Sequence, residues 1–286
     1  MEGKVVKGNR ITEGSIFGQL LLFFFPILFG TFFQQLYNTA DAMVVGRFVG
    51  KQALAAVGGS TSTLINLLVG FFVGLSSGAT VVISQYYGAR KADKVHWAVH
   101  TSIAFSVIGG IIFMIVGLVG SPWALEAMKT PEDVMGHAVV YIRIYFLGII
   151  VNLVYNMGAG ILRAVGDSRR PLYFLFAAGV VNVCLNLIFV VGLHMGVDGC
   201  AWATVISQGI SALLCLIYMI RRFELLKLSK EDFRKDFPVM GRLLAIGIPM
   251  GLQFSITAIG TIIVQGAVNI FGAVYIAGFS AAGKIQ

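Results

Sequence analysis

Long apolar runs alternate with short polar connections along nearly the whole chain. Each run holds about 20 residues or more, which is the length that an α-helix needs to cross ~30 Å of hydrocarbon. Strand-like alternation of apolar and polar positions at about 10-residue spacing is absent. The pattern therefore predicts an all-α, polytopic membrane protein. The predicted spans lie at residues 16–45, 53–86, 95–122, 134–160, 171–193, 199–220 and 239–268, and an eighth begins at 274.

Composition and charge agree with this prediction and indicate how the chain is oriented. Hydrophobic residues make up 57% of the 286 positions and charged residues 12%, which excludes an ordinary soluble domain. The net charge of +8 comes from basic residues in the short connections, so we attribute it to topology and expect no nucleic-acid partner. Among the connections on the side opposite the N-terminus, the basic residues are Arg47, Lys51 and Lys129. This asymmetry predicts a cytoplasmic N-terminus in the cell (inner) membrane.

The chain contains an internal repeat. A shift of 223 residues places GQLLLFFFP, from Gly18 to Pro26, on GRLLAIGIP, from Gly241 to Pro249. Six spans separate the copies, so both begin on the same side of the membrane, as in parallel-repeat, two-lobed membrane proteins. We expect about twelve spans in the complete protein and treat this chain as a fragment that ends early in its second lobe. Chance similarity between two apolar helices is the alternative.

The repeat divides the chain into two unequal parts. Residues 1–222 form a predicted six-helix first lobe, and residues 239–286 begin a truncated second lobe. Residues 223–238 mix leucine and phenylalanine with charges, and Ser229 with Asp232 resembles a capping box. We predict a short amphipathic linker helix there, on the cytoplasmic membrane surface and in contact with lipid.

The first span carries a carboxylate. Asp41 is the one acidic residue, of 13 in the chain, that lies within a predicted span. An ionisable group inside hydrocarbon is expensive, and it indicates a functional site. Gly30, Gln34 and Asn38 precede Asp41 at helical spacing, so the four residues share one face. Pro26 lies one turn before Gly30, where its ring removes a backbone hydrogen bond and favours a bend.

Polar groups from other spans lie at about the same depth as Asp41. A carboxylate, amide oxygens and a hydroxyl are suitable ligands for Na⁺, or Asp41 can hold a proton instead. We therefore predict a site for Na⁺ or H⁺ around Asp41. Each polar group, taken singly, could also hold helices together through hydrogen bonds worth about 1 kcal/mol. The predicted partners of Asp41 are Tyr141, Asn182, Asn186 and Thr204.

No further metal or cofactor site is predicted. The three cysteines are not at metal-ligand spacing, so we expect them to be packing residues. His96 and His100 share a helical face, but no third ligand stands near them. Arg143, near the outer end of the fourth span, can pair with a carboxylate or extend to the membrane interface.

The turn GDSRRP has a structural interpretation. Gly166 permits a tight turn after the fourth span, Asp167 can cap the fifth, and Pro171 fits the first turn of that helix. Its two arginines can meet lipid phosphates. We assign this turn to topology and not to substrate binding.

Several stretches of the chain resemble the multidrug and toxic compound extrusion (MATE) transporters. The most specific is LRAVGDSRRP at 162–171, and the shared order of all the stretches makes the resemblance strong. It covers the chain from about Gly14 onward. The other stretches that carry it are FPILFGTFFQQLYNTADAMVVGRFVGKQALAAVG, the YYGARK turn, YIRI at 141–144, NVCLN at 182–186 and GVDGCAWATVISQ at 196–208.

The resemblance implies a twelve-helix, two-lobed antiporter and not an enzyme. Such a protein exports organic, often cationic, compounds in exchange for Na⁺ or H⁺ by alternating access. Small-molecule substrates and membrane lipids are the expected partners of a monomer that needs no cofactor. By matching position, Asp41 is implied as the coupling carboxylate and Pro26 as the site where the first helix bends. Its implied partners are Tyr141, Asn182, Asn186 and Thr204.

The resemblance also indicates residues of the substrate cavity, and this chain differs from some family members at one position of the site. We predict Pro26, Gln34, Asn38 and Asn156 as cavity or hinge residues, the last because its part of the fourth span carries polar residues in the family. Some members have a second aspartate where this chain has Asn186. A mechanism that shares protons between two acids is therefore in doubt here.

Two other functions remain open from the sequence. A flippase for lipid-linked oligosaccharides or other amphipathic lipid precursors would share the two-lobed architecture. It would favour several cationic residues in its cavity, and Arg143 is the one candidate within the first six spans. A seven-helix receptor or an intramembrane enzyme would not need the repeat, and the spans contain no HExxH, GxSxG or paired aspartates.

Overall fold

The computed structural model describes residues 15–222 and 237–283. In these ranges the chain is helical, without strands, as the apolar pattern predicts. Most of the predicted linker helix falls on residues 223–236, which lie outside the described ranges. The helices are α1 (Ile16–Phe48), α2 (Lys51–Gly58), α3 (Ser60–Gly88), α4 (Ala92–Ala127), α5 (Glu132–Leu147), α6 (Ile149–Ala164), α7 (Arg169–Asn186, continued by a π-helical segment Leu187–Gly192), α8 (Val197–Arg222), α9 (Phe237–Asn269) and α10 (Ala273–Gly283).

The helices confirm a multi-pass membrane protein. Within the described ranges, six helical segments are long and apolar enough to cross a bilayer, with α2 and α3 counted together, and α5 with α6 makes a seventh. Each predicted span matches one of these segments to within a few residues, and the fifth, 171–193, ends one residue beyond its helix. The eighth predicted span corresponds to α10, a shorter apolar helix.

Two interruptions were not predicted. The second span breaks at Gly59 into α2 and α3, and the fourth bends by 52° between α5 and α6. A Cβ added at Gly148, the residue at the bend, would overlap the side chain of Val205 on α8. The bend therefore depends on how closely α8 packs against the fourth span. The apolar pattern within one span carries no information about such packing.

Helix α1 lies at the edge of the helical bundle. It is 33 residues long and runs through Pro26 without interruption, and its buried residues are Gly30, Asp41 and Val45. Its main protein neighbour is α7, which lies parallel to it. A Cβ at Gly30 would stand 3.7 Å from Leu172, near the start of α7, whereas Asp41 meets the end of α7. We call the side of the membrane where α1 begins the N-terminal side.

The turn between α6 and α7 has the backbone geometry that the sequence predicts for GDSRRP. Gly166 has a φ of 90°, which a residue with a side chain rarely adopts. The Oδ1 atom of Asp167 accepts a hydrogen bond of 3.1 Å from the backbone N–H of Arg170, in the first turn of α7. Pro171 follows within the same turn, where its missing N–H does no harm.

Helix α9 packs antiparallel along the whole of α3. Glycines meet glycines at this crossing: a Cβ at Gly74 would overlap the backbone of Gly251, and a Cβ at Gly78 would overlap that of Gly247. Small residues allow two backbones to approach closely in a membrane. At the far end of the crossing, the Asn269 amide donates to Ser60 Oγ at 2.8 Å and to the Met128 carbonyl at 2.7 Å.

The two copies of the repeat form corresponding helices. Both α1 and α9 are 33 residues long, and each contains its repeat proline, Pro26 or Pro249. They also begin on the same side, because α1 and α9 are both antiparallel to α3. This orientation is the one that a parallel repeat requires.

We expect Gly74→Ala to destabilise the α3–α9 crossing. The new methyl group would displace the Gly251 backbone, and overpacking of this kind lowers the free energy of unfolding by about 1–3 kcal/mol. Gly70→Ala, one turn away on α3, is the matched control because its Cβ would lie 3.6 Å from Phe254, an ordinary contact. Thermal unfolding in detergent measures both variants, and equal midpoints would contradict the close glycine packing.

Candidate functional site

Asp41 is held by an amide from another helix. The Nδ2 atom of Asn186 donates to Asp41 Oδ1 at 2.6 Å and to Asn182 Oδ1 at 3.2 Å. All three side chains are buried, and Asn186 is completely so. A charged acceptor makes such a bond shorter and stronger than one between neutral groups. The pair therefore ties α1 to α7 at the depth that the sequence predicts.

Two further helices contribute to this site. Tyr141 of α5 and Thr204 of α8 are buried and hydrogen-bonded to each other. Tyr141 also lies close enough to Asp41 for an electrostatic interaction with its carboxylate. The Thr204 hydroxyl also donates to the Cys200 carbonyl at 3.0 Å. The structure thus brings together the four residues that the sequence places at one depth, and with them Asn182, which the sequence places nearer the middle of its span. We call them the Asp41 cluster: Asp41, Tyr141, Asn182, Asn186 and Thr204.

The Asp41 cluster contains an unused acceptor. In the described part of the chain, the Oδ1 atom of Asn186 and the Nδ2 atom of Asn182 are buried and have no hydrogen-bond partner. An unsatisfied buried polar group costs about 1–3 kcal/mol, so its presence needs a reason. An amide oxygen directly beside a carboxylate forms part of an oxygen ligand set that suits Na⁺. The geometry can therefore hold a small cation that shares Asp41 and Asn186.

A cavity of about 120 Å³ lies next to the cluster, between α1, α6, α7 and α8. Pro26, Gln34 and Asn156, three of the predicted cavity or hinge residues, line it. Asn38, the fourth, is not among the lining residues. Its amide donates to Gln35 at 3.3 Å on the same helix, and Asn38 lies just beyond Tyr37, the last residue of α1 that lines the cavity.

An amide network crosses the cavity wall. Asn152 Nδ2 donates to Gln208 Oε1 at 2.6 Å, which joins α6 to α8. Asn156 Nδ2 in turn donates to Asn152 Oδ1 at 3.0 Å. The polar stripes of these two helices are visible in the sequence, but periodicity within one helix does not show which stripes face each other. Here they pair, so part of the polarity of the spans holds the bundle together.

Tyr37 and Arg163 are among the lining residues that the sequence does not assign to the cavity. Tyr37 lies one turn before Asp41, is hydrogen-bonded to Gln34 and is near the Asp41 charge, and its helical spacing could have identified it. Arg163 was counted among the basic residues of a connection. The structure places it in the last turn of α6, where its side chain lines the cavity.

Other candidate groups stay outside the site. Arg143 is exposed, which agrees with an interfacial position and not with a role beside Asp41. His100 Nδ1 lies 2.8 Å from the His96 carbonyl, and the two rings are 4.2 Å apart. Within the described ranges, no group of three or more His, Cys, Asp or Glu side chains could hold a metal ion.

Comparison with known proteins identifies the family. The MatE family model matches residues 26–188, more than half of the chain, and the match includes α1, α7 and most of the cluster between them. The chain belongs to the MATE family.

The relatives include curated MATE proteins and solved MATE structures. The probable multidrug resistance protein YpnP of Bacillus subtilis (strain 168) is 31% identical over 281 residues, covering 98% of this chain and 62% of YpnP. The multidrug export protein MepA of Staphylococcus haemolyticus (strain JCSC1435) is 24% identical and covers 92% and 57%. A MATE transporter solved in an inward-facing conformation aligns with a TM-score of 0.82 at 26% identity, covering 88% of this chain and 57% of that one.

These comparisons decide between the alternatives. The relatives are named as multidrug resistance or export proteins, so the family is one of transporters, and the receptor and enzyme alternatives are set aside. The names give no support to a flippase of lipid-linked sugars. The chain spans less than two thirds of the length of the curated relatives that it matches.

We expect Asn186→Leu to destabilise the protein. Leucine would remove the amide that donates to both Asp41 and Asn182, and the loss of these buried hydrogen bonds lowers the free energy of unfolding by about 1–3 kcal/mol. Cys184→Ala, at an exposed position of the same helix, should change it by less than about 0.5 kcal/mol. Thermal unfolding in detergent measures both, and a shift no larger for Asn186→Leu than for Cys184→Ala would refute the structural role of this bond.

Proposed function

We propose that the protein is a secondary active multidrug antiporter that exports organic, often cationic, compounds in exchange for Na⁺ or H⁺. Its membership of the MATE family and the multidrug names of its relatives support the class of activity. The observation that carries the coupling is the buried Asp41, bonded to Asn186 at 2.6 Å, beside the unused Asn186 carbonyl oxygen. This arrangement suits the reversible binding of one monovalent cation.

Binding of the cation changes the charge that the first lobe has to bury. With the site empty, an ionised Asp41 relies on Asn186 for its stabilisation in hydrocarbon. With Na⁺ or H⁺ bound, the site is neutral, and the carbonyl oxygen of Asn186 gains a partner if the ion is Na⁺. A ligand shifts a conformational equilibrium only through such a difference in free energy between the states. The single carboxylate favours one cation over a proton shared between two acids.

Helix α1 transmits this change to the cavity. It carries Asp41, Tyr37 and Gln34 on one face, and Pro26 leaves the Leu22 carbonyl without its helical donor at the other end of the cavity. A change of bend at Pro26 would move Gln34 and so reshape the cavity wall. Relatives have been solved in inward-facing and outward-facing conformations, and in conformations named bent and straight, which supports a moving part of this kind.

The surroundings of the transporter follow from the same proposal. We place the protein in the cell membrane with its N-terminal side in the cytoplasm, because the basic connections lie on that side. The exposed apolar face of α1 then contacts lipid. We propose a monomer whose substrates are small organic molecules that enter between the two lobes.

We expect Asp41→Asn to abolish gradient-driven efflux. Asparagine keeps the shape of the side chain but removes the charge that binds the coupling cation, so ion binding no longer distinguishes the two conformations. The measurement is export of a fluorescent cation from liposomes that contain the gene's full product, with Na⁺ and pH gradients imposed separately. The gradient that drives wild-type export identifies the coupling ion.

A matched control separates this effect from a general loss of charge. Asp198→Asn also neutralises one aspartate, but Asp198 is exposed in the first turn of α8, and efflux should remain within about twofold of wild type. Undiminished gradient-driven export by the Asp41→Asn protein would reject Asp41 as the coupling group.

We expect Pro26→Ala to slow transport without unfolding the protein. Alanine restores the backbone donor to Leu22 and stabilises the straight helix, so the turnover rate should fall roughly tenfold, which corresponds to about 1.4 kcal/mol. Pro122→Ala, inside α4 and away from the cavity, should leave the rate nearly unchanged. Initial rates of efflux at saturating substrate measure both variants. Equal rates for the two would show that Pro26 is not the hinge.

A further inference from the structure

Arg163 is the one charged side chain among the cavity-lining residues that the structure describes. It stands in the last turn of α6, at the N-terminal side, beside Ser168 and Tyr155. Pro26 and Tyr37 mark two depths of the same cavity and are separated by about 16 Å of helix axis. The Asp41 cluster lies beyond Tyr37, so the positive charge and the carboxylate are at opposite ends of the cavity.

Within residues 15–222 and 237–283, no carboxylate forms an ion pair with Arg163. The nearest carboxylate in sequence, that of Asp167, is engaged elsewhere. Asp167 Oδ1 accepts from the Arg170 backbone at 3.1 Å, and its Oδ2 accepts from the Tyr218 hydroxyl at 2.9 Å. The Tyr155 hydroxyl donates to the Pro171 carbonyl at 3.1 Å. The groups around the guanidinium therefore already have partners of their own.

Capping of α6 does not explain Arg163 either. A basic side chain often stabilises the last carbonyls of a helix. In this helix, the last backbone carbonyl groups already accept hydrogen bonds from backbone N–H groups. Ile161 accepts from Val165, Leu162 from Asp167, and Arg163 from Gly166. The guanidinium, half-buried and facing a cavity, is left with five donors for a ligand. An arginine removed from water and without a carboxylate is expensive, which favours a functional reason for its position.

We propose that Arg163 is a carboxylate-recognition site, so that the cavity takes zwitterionic organic molecules with the acid group at Arg163. The planar guanidinium binds a carboxylate through two parallel hydrogen bonds. A guanidinium also binds phosphate, and a lipid phosphodiester carries a single negative charge like a carboxylate, so an anionic lipid is the competing ligand that the test has to exclude. The cationic end of the molecule would point toward the neutral amide oxygens of Gln34 and Asn156. This inference rests on the proposed transport function and names a substrate class for it.

The size of the cavity limits how much of such a molecule it holds. About 120 Å³ accommodates the acid-bearing arm of a drug-sized compound and not the whole compound, since ligand pockets are usually ~300–1,000 Å³. Recognition of the arm at Arg163 then selects which end of the substrate enters the first lobe.

The test uses two dyes that differ in one group. Rhodamine 110 carries a free carboxyl group, and rhodamine 123 is its methyl ester with the same cationic ring system. In proteoliposomes containing the gene's full product, wild type should show a KM about tenfold lower for the acid than for the ester, the scale of one charge-assisted contact. Arg163→Gln should bring the two KM values together by raising that of the acid. The KM of the ester should change by less than about twofold.

Two more variants separate recognition from structure. Arg163→Lys keeps the charge and should retain part of the preference for the acid, whereas Arg170→Gln should retain all of it. Arg170 lies in the first turn of α7, after the connection that follows Arg163. Its guanidinium stacks over Tyr218 at 5.1 Å and does not line the cavity. Equal KM values for the two dyes in wild type would overturn the proposal. An equal rise in both KM values in Arg163→Gln would also overturn it.

The failure of this proposal can be told from failure of the transport function. If neither dye is exported, equilibrium binding of the two dyes in detergent, followed by fluorescence anisotropy, still reports the preference and its dependence on Arg163. Vesicles of phosphatidylcholine with and without phosphatidylglycerol should give the same preference. A preference that disappears when phosphatidylglycerol is present would assign the guanidinium to an anionic lipid headgroup and overturn the proposal.

Discussion

Hydrocarbon offers Asp41 no water to bind its carboxylate. The side chain of Asn186 instead donates a hydrogen bond to that carboxylate at 2.6 Å. Much of the first lobe is arranged around this requirement. Helix α1 buries few residues, so α7 holds it largely through small residues along the interface and through this polar contact near its end. Helices α5 and α8 complete the enclosure with Tyr141 and Thr204. The carboxylate thus lies where α1, α5, α7 and α8 meet, and three of these helices, α1, α7 and α8, enclose the cavity on its N-terminal side together with α6.

The other side of the bundle is built on a different principle. Helices α3 and α9 approach until their backbones touch at glycine pairs, and Asn269 closes the far end of that contact. Close packing of this kind leaves little room for sliding or bending. Helix α1 has no comparable contact along most of its length. The structure therefore combines a closely packed helix pair with a loosely held helix, and the charged group sits on the loosely held one.

Much of this was predictable from the sequence, and the limits have physical causes. Apolar runs of membrane length predict the spans, because hydrocarbon imposes the same requirement on every span regardless of its neighbours. Four residues of the Asp41 cluster could be placed at one depth, and Asn182 nearer mid-span, since helical rise and the side of each connection fix depth.

What could not be predicted depends on packing between helices. The bend at Gly148 follows from Val205 on another span, and the pairing of Asn152 with Gln208 follows from the rotation of two helices. Asn38 does not line the cavity because the packed helices end the cavity at the level of Tyr37, and helical spacing within one span does not show where a cavity ends. Arg163 was overlooked because basic residues at span ends usually report topology.

The length of α1 has a consequence for its relation to the bilayer. A helix of 33 residues is about 50 Å long, whereas the hydrocarbon layer is ~30 Å thick. Hydrophobic mismatch of this size is relieved by tilting, by bending or by local thickening of the lipid. Because most of its apolar side chains face outward, the lipid acts directly on the helix that carries Pro26 and Asp41. Membrane thickness is therefore a mechanical load on the carboxylate-bearing helix, and lipids of different chain length would set its resting shape.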